Sequence, residues 1–248
     1  MEFELANYWQ RQMFAGCHER REFWFIRRLL RQGDVFIDGG ANIGYYTCLA
    51  ASVVGPGCVH AFEPNPLILP QLRRQAEINP HLNIRMHPLA LSDREGEATF
   101  YVPQDRPEDQ GWHSGMGTLE PVVASQRLGK PVRVMCTTLD RFVGEQQCAR
   151  VTLCKLDLEG GESAALRGAQ NALKSGVLES VILEITPQNR ERIMAELQPY
   201  EFDLILDVGS LRVVRSVAKM RWGVSDVLLA RGACAERAKQ LGWDRWLM

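Results

Sequence analysis

The chain has 248 residues, of which 46% are hydrophobic and 24% charged, enough apolar material for one large α/β domain or one domain with a small extension. Its formal net charge of −1 supplies no global attraction to nucleic acid or to an anionic membrane, and neither is expected as a partner. The seven cysteines, Cys17, Cys48, Cys58, Cys136, Cys148, Cys154 and Cys234, contain no Cys-x-x-Cys pair. That excludes a zinc ribbon or a dithiol motif and points to a reducing, cytoplasmic setting.

Residues 1–32 read as an N-terminal helical extension, with Trp9, Phe14, Phe23, Phe25, Ile26, Leu29 and Leu30 as core candidates. Arg20, Arg21, Arg27, Arg28 and Arg31 form its solvated face. Glu2 and Glu4 without a long apolar core argue against a signal peptide. Residues 33–248 read as the main domain. The uncharged run 39–62 is broken by Gly55-Pro56-Gly57 into a helix and a strand, so it is not a membrane span.

Alternation then begins. Strands are expected at 35–38, 58–63, 83–89, 151–158 and 180–185, with helices at 43–54, 66–79, 162–174 and 188–197. Short strands at 98–102 and 132–136 and a short helix at 138–143 lie between the third and fourth strands. Residues 103–131, rich in Pro, Gly, Gln and Ser, read as a long functional loop over the acceptor. Segments 202–208 and 225–230 read as a terminal strand pair, and 233–248 as a helix. Such alternation predicts an α/β fold with a doubly wound, mostly parallel sheet of Rossmann-like type.

The segment from Val35 to Thr47 carries the most information. An apolar run ends in Asp38, and a turn with the spacing Asp-x-Gly-x-Asn-x-Gly follows through Gly40, Asn42 and Gly44. Glycines here let backbone approach a ligand where a Cβ would obstruct. A dinucleotide fingerprint, Gly-x-Gly-x-x-Gly, would instead seat a pyrophosphate on bare amides. A carboxylate at this edge suits a cationic, phosphate-free cofactor with an amino-acid tail, and S-adenosylmethionine is the candidate.

Ligands in these sheets bind at the carboxyl ends of strands, so the acids that end strands are the site candidates. Glu63 ends strand two at the spacing of a ribose-binding acid. Ser92 and Asp93 follow strand three and either meet adenine or open an Asx turn at Asp93-Arg94-Glu95-Gly96. Strand four ends in Lys155-Leu156-Asp157-Leu158-Glu159-Gly160-Gly161-Glu162. Alternation puts Asp157 and Glu159 on one side with Lys155 in register, and Glu162 suits a helix N-terminus. Asp157 and Glu159 can orient a substrate or accept its proton. A divalent cation held by these two and Glu184 is a minor alternative to a metal-free site. His113 is a further candidate base on the long loop, beside Trp112, which can stack on a sugar face; a solvated His113 and a packed Trp112 remain open. His87 reads as a packed core residue.

These motifs resemble the FkbM family of S-adenosylmethionine-dependent methyltransferases. The resemblance rests on Phe36 to Thr47, on Ala61-Phe62-Glu63-Pro64-Asn65-Pro66, on Ala90-Leu91-Ser92-Asp93, on Thr138-Leu139-Asp140, on Lys155 to Glu162 and on Leu166-Arg167-Gly168-Ala169, in the family's order. It implies a seven-stranded sheet with a reversed final hairpin. It places Asp38 and Gly40 beside the methionine part, Glu63 on the ribose, Asp93 near adenine, and Asp157 and Glu159 at the transferred methyl. Gly40 and Gly161 stand where the family often has another small or apolar residue.

The expected reaction is O-methylation of a hydroxyl on a sugar or secondary metabolite. N-methylation of a peptide or amide nitrogen is the alternative, so the acceptor is a small molecule or a peptide. A non-catalytic cofactor-binding partner subunit is the rival of another class, and a homo-oligomer stays open. A nicotinamide oxidoreductase fits the Asp38 turn poorly. The chain also lacks the Asn/Asp-Pro-Pro-aromatic and Pro-Cys motifs of nucleic-acid methyltransferases.

Overall fold

The computed structural model describes residues 1–103, 116–126, 129–210, 212–214 and 225–241. Two helices, α1 (Tyr8–Phe14) and α2 (Arg20–Leu29), precede the first strand. Then follow β1 (Val35–Gly39), α3 (Tyr45–Val54), β2 (Cys58–Phe62), α4 (Leu69–Glu77), β3 (Ile84–His87), β4 (Leu89–Leu91) and β5 (Gly96–Val102). The second half holds α5 (Pro121–Gln126), β6 (Lys130–Thr137), α6 (Leu139–Glu145), β7 (Leu153–Leu156), α7 (Glu162–Arg167), α8 (Gln170–Ser175) and β8 (Ser180–Ile185). It closes with α9 (Arg190–Leu197), β9 (Leu204–Asp207), β10 (Arg212–Val213), β11 (Ser225–Ala230) and α10 (Gly232–Gln240).

The main sheet has the order β10-β9-β11-β8-β7-β1-β2-β3. Pairing is parallel from β8 through β3, whereas β11 runs antiparallel to both β8 and β9. The chain builds outward from β1 through β2 to β3, then returns to place β7 on the other side of β1. The strand order therefore reverses between β1 and β7, and a crevice opens there at the carboxyl ends.

The sheet has eight strands rather than the expected seven; the addition is the two-residue β10, paired with β9 at the edge. The single strand expected over 83–89 is two strands in different sheets. Pro88 has no N–H to continue the ladder, so β3 stays in the main sheet while β4 joins β6 and β5 in a second, three-stranded sheet. The helix expected over 162–174 is also two. Gly168 breaks it where a Cβ would lie 2.1 Å from the Ser92 carbonyl oxygen. The helix expected from residue 66 begins at Leu69, because the Asn65 side chain accepts from Leu67 N at 3.0 Å and turns the chain first. The expected long loop contains α5; its residues 104–115, with Trp112 and His113, lie outside the described residues.

Neighbouring side chains of each strand feed opposite faces. Ile37 and Leu156 join one core with Leu166 and Leu183, and Phe36 and Leu153 join the other with Val59 and Leu228. The second core also takes Phe25, Ile26 and Leu29 of α2, all 0% exposed. Burying three such side chains stabilises the fold by roughly 5–9 kcal/mol, so α2 is part of the core. No helix among the described residues is long and apolar enough to cross a membrane.

Candidate active site

The turn after β1 is tied to the end of β2. Gly40 and Ala41 both donate their N–H to the Phe62 carbonyl, at 3.0 and 2.9 Å. Gly40 has φ +82° and Asn42 φ +51°, and asparagine is among the few residues that tolerate the left-handed region. The turn glycines also allow a close crossing of chain segments. A Cβ at Gly40 would lie 2.0 Å from the Asp157 carbonyl oxygen, one at Gly39 2.9 Å from that of Lys155, and one at Gly44 2.9 Å from Leu72. The close approach is between β1 and the chain leaving β7.

Glu63 sits at the end of β2, 6% exposed. Its Oε2 accepts from Asn42 N and its Oε1 from Asn65 N, both at 2.8 Å. Each oxygen keeps a free lone pair, and the residue lines a cleft with Pro64, Leu89 and Leu91. Burial raises its pKa to about 7 against the opposing pull of the two backbone donors. A carboxylate fixed from behind, with acceptor capacity facing a cleft, fits two ribose hydroxyls.

Asp38, buried at the end of β1, accepts from the Thr47 hydroxyl at 2.6 Å and lines neither that cleft nor its neighbour. Gly44, Ser92 and Asp93 also line neither. Ser92 is buried and donates its N–H to the Thr137 carbonyl. Asp93 is turned toward Arg167, whose Nε and Nη2 donate at 3.0 and 2.9 Å. Burial pushes the Asp93 carboxyl up, but the Arg167 hydrogen bonds and charge outweigh it and leave its pKa lowered. The wall beneath the cleft at this point is Ala90 and Leu91.

The strand β7 ends at Leu156, so Asp157 and Glu159 stand on a turn rather than in the expected strand alternation. The turn still brings both together: with Gly40 and Asn42 they line the first cleft and a second, larger cavity of about 470 Å³. Lys155, 3% exposed, reaches along the wall of the second cavity. Its ammonium lies 2.7 Å from Asp157 Oδ2 and 4.8 Å from the Tyr46 ring centroid. Burial works against its charge, yet Asp157, Glu22, Glu19 and Asp38 more than compensate and raise its pKa. Glu184 at the end of β8 lines the same cavity. Burial, then the charges of Asp157 and Glu159, push its carboxyl up to about 8. Asp226 on β11 is raised to about 7 by burial and by Glu19.

The far wall comes from the N-terminal segment. Trp9 and Met13 of α1, with His18 and Glu19 from the junction before α2, complete the cavity. The His18 ring lies between Trp9 and Tyr45, with centroids 5.6 Å from each. The Tyr46 hydroxyl lies 2.7 Å from Glu19 Oε2 and 3.0 Å from Glu22 Oε2. Burial raises the Glu22 carboxyl well above the usual range, against the lowering pull of the Lys155 charge. Sequence reading left Lys155 and Asp226 without a role and took Trp9 for a core residue. Lys155 stood in the strand-four motif as a signal; the wall left none, since helical periodicity does not say which face meets a cavity.

His87 packs as expected, stacked on Phe62 at 4.6 Å and 3.1 Å from the His60 ring nitrogen. Among the described residues no group of three His, Cys, Asp or Glu side chains is disposed to hold a metal ion.

A family model for the methyltransferase FkbM domain matches residues 38–208. The chain belongs to the FkbM methyltransferase family. The curated 31-O-demethyl-FK506 methyltransferase FkbM of Streptomyces tacrolimicus is 30% identical over 165 residues, 58% of this chain and 62% of that protein. The hexuronic acid methyltransferase AglP of Haloferax volcanii is 27% identical over 182 residues, 69% of this chain and 66% of that protein. The chain thus spans just under two thirds of the length of these FkbM relatives. A TehB-like S-adenosylmethionine-dependent methyltransferase from Corynebacterium glutamicum shares the fold, with a TM-score of 0.50 and 11% identity over 90% of this chain and 94% of that one. The wall built by Trp9, Met13, His18, Glu19 and Asp226 falls outside the matched FkbM segment.

Proposed function

We propose that this FkbM-family chain transfers a methyl group from S-adenosylmethionine to a hydroxyl of a sugar or secondary metabolite. The observation that carries the reading is the shared wall. Gly40, Asn42, Asp157 and Glu159 stand between the narrow cleft lined by Glu63, Leu89 and Leu91 and the cavity of about 470 Å³ that has room for an acceptor. Bound S-adenosylmethionine would supply an electrophilic methyl on a positively charged sulfur. Glu63 would hold the ribose hydroxyls, the apolar strip at Leu89 and Leu91 the base, and the Gly40–Asn42 turn the amino-acid end.

The chain's own work is alignment and proton removal. Alignment of nucleophile and methyl group supplies up to about 7–11 kcal/mol where geometry is ideal. Lys155 fixes Asp157 at the shared wall, where the Asp157 carboxylate can accept the hydroxyl proton as the oxygen attacks. Glu184 and Asp226, with carboxyls tuned to about 8 and about 7, suit passing that proton on near neutral pH. His113, the other candidate base, lies on residues 104–115 outside the described structure. A methyl-transfer screen across sugars, polyketides and peptides, with mass spectrometry locating the added methyl, tests the reading. A methyl on a hydroxyl oxygen is expected. A product methylated only on nitrogen overturns the acceptor assignment, and cofactor binding without transfer to any class favours the partner-subunit alternative.

A further inference from the structure

The turn that carries Asp157 and Glu159 does not hold itself. Glu159 has φ +53° and Gly160 φ +101°, the first an uncommon conformation for a residue with a Cβ. Within the turn there is one backbone hydrogen bond, from Gly161 N to the Leu158 carbonyl at 3.2 Å. Its inward-pointing amides go instead to the fully buried Glu162, whose Oε1 accepts from Leu158 N at 2.9 Å and from Gly160 N at 3.2 Å. The other oxygen, Oε2, accepts from Asn189 Nδ2 at 3.1 Å. All three partners are N–H donors, the set that an acceptor-only carboxylate suits, and the two backbone donors work against the burial that raises the Glu162 pKa.

Asn189 extends the same node to the next strand. It is 2% exposed, and its Nδ2 also donates to the Glu184 carbonyl at 3.1 Å. Its Oδ1 accepts from Thr186 N at 2.7 Å. One buried pair therefore grips both strand ends that face the cavity: the turn with Asp157 and Glu159 after β7, and the end of β8 with Glu184.

We propose that Glu162 and Asn189 are the positioning pair of this site, setting the placement of the Asp157–Glu159 turn against Glu184 without touching cofactor or acceptor. This rests on the functional reading of those acids given above.

The charge and donor pattern make the pair testable without a known acceptor. In Glu162→Gln the amide oxygen can still accept from the turn, but the amide NH₂ then meets the NH₂ of Asn189, donor against donor. Asn189→Asp added to that variant turns the second contact back into a donor–acceptor pair, at the expense of the contact with the Glu184 carbonyl. The probe is S-adenosylhomocysteine, titrated by calorimetry into the full-length protein, with hydrogen exchange at individual amides. Glu162→Gln should raise Kd by about tenfold or more, up to about a hundredfold, the loss of roughly one charge-assisted hydrogen bond. Protection should fall at Leu158 and Gly160 and stay unchanged at Phe36 and Ile37. The double variant should recover part of both losses, which a general loss of stability would not do. Unchanged Kd and protection in Glu162→Gln, or equal loss at every core amide with no recovery in the double variant, overturns the proposal. If Glu162→Gln does not fold, Asn189→Ala carries the test, with the same two losses expected and unchanged values refuting it. Asp157→Asn serves as reference. If it leaves transfer to an acceptor found by the screen unchanged, the reading of the acid turn fails, while exchange at Leu158 and Gly160, which needs no acceptor, still reports whether Glu162 holds it.

Discussion

Glu63 offers the sharpest test of the cofactor cleft, because its chemistry makes a signed prediction about pH. Glu63→Ala is a poor probe: it would orphan Asn42 N and Asn65 N, each now bonded at 2.8 Å, at a cost of about 1–3 kcal/mol apiece. Glu63→Gln keeps the shape and one acceptor. Ribose hydroxyls donating to a carboxylate gain about 1.5–3 kcal/mol, against about 0.5–1.5 for a neutral acceptor. The substitution should therefore weaken S-adenosylhomocysteine binding by about 1–2 kcal/mol, or roughly five- to thirtyfold. Burial holds the wild-type carboxyl at about 7, and only its ionised form accepts both hydroxyls. Wild-type affinity should then fall as pH drops below that value, by up to about thirtyfold at pH 5.5, while Glu63→Gln stays flat. Calorimetry from pH 5.5 to 7.5 on both proteins measures this. Equal affinity and equal pH slopes in the two proteins would refute the ribose assignment.

Asp157→Asn should keep the fold and bind cofactor, yet lower turnover by about 10²–10⁴-fold if Asp157 receives the proton; a rate within threefold of wild type contradicts that role. Removing residues 1–30 strips Phe25, Ile26 and Leu29 from the core, and the shortened chain should show no cooperative thermal transition; a well-folded fragment would show that α2 only decorates the domain. Glu63, Glu184 and Asp226 are raised to about 7, 8 and 7, so the folded chain holds protons there that the unfolded chain has released. Their contribution is complete at low pH and lost as pH rises, so Tm of the ligand-free protein should fall between pH 6.5 and 8.5. A rising Tm in that window reverses the sign and refutes the burial argument. The cavity sets Glu19, Asp157, Glu159, Glu184 and Asp226 against Lys155, so neutral or cationic acceptors should outpace carboxylate-bearing ones of the same skeleton. Preference for the carboxylate would contradict the charge reading.

The alternation of strands and helices, and the acids at strand ends, were legible because they depend on local periodicity and on the rule that such edges bind ligands. Asp157 and Glu159 were placed together for the wrong reason. Strand alternation brought them to one side on paper, whereas a left-handed turn held by a buried carboxylate does so in the molecule. The turn glycines have a second reason that a single sequence does not show: a Cβ at Gly40 would meet the Asp157 backbone, more than a hundred residues away. The split at Pro88 was available in the sequence, since proline cannot donate to a ladder, but the destination of β4 in a second sheet depends on its parallel pairing with β6. The cavity wall from Trp9 to Glu19 was not legible, because the contact of an amphipathic helix with a distant sheet edge is a tertiary fact.

The most direct test of the account is calorimetric titration of the full-length protein with S-adenosylmethionine and, separately, with NAD. The account predicts saturable binding of S-adenosylmethionine at one site per chain, weakened by Glu63→Gln, and no binding of NAD. Binding of NAD with none of S-adenosylmethionine would contradict it.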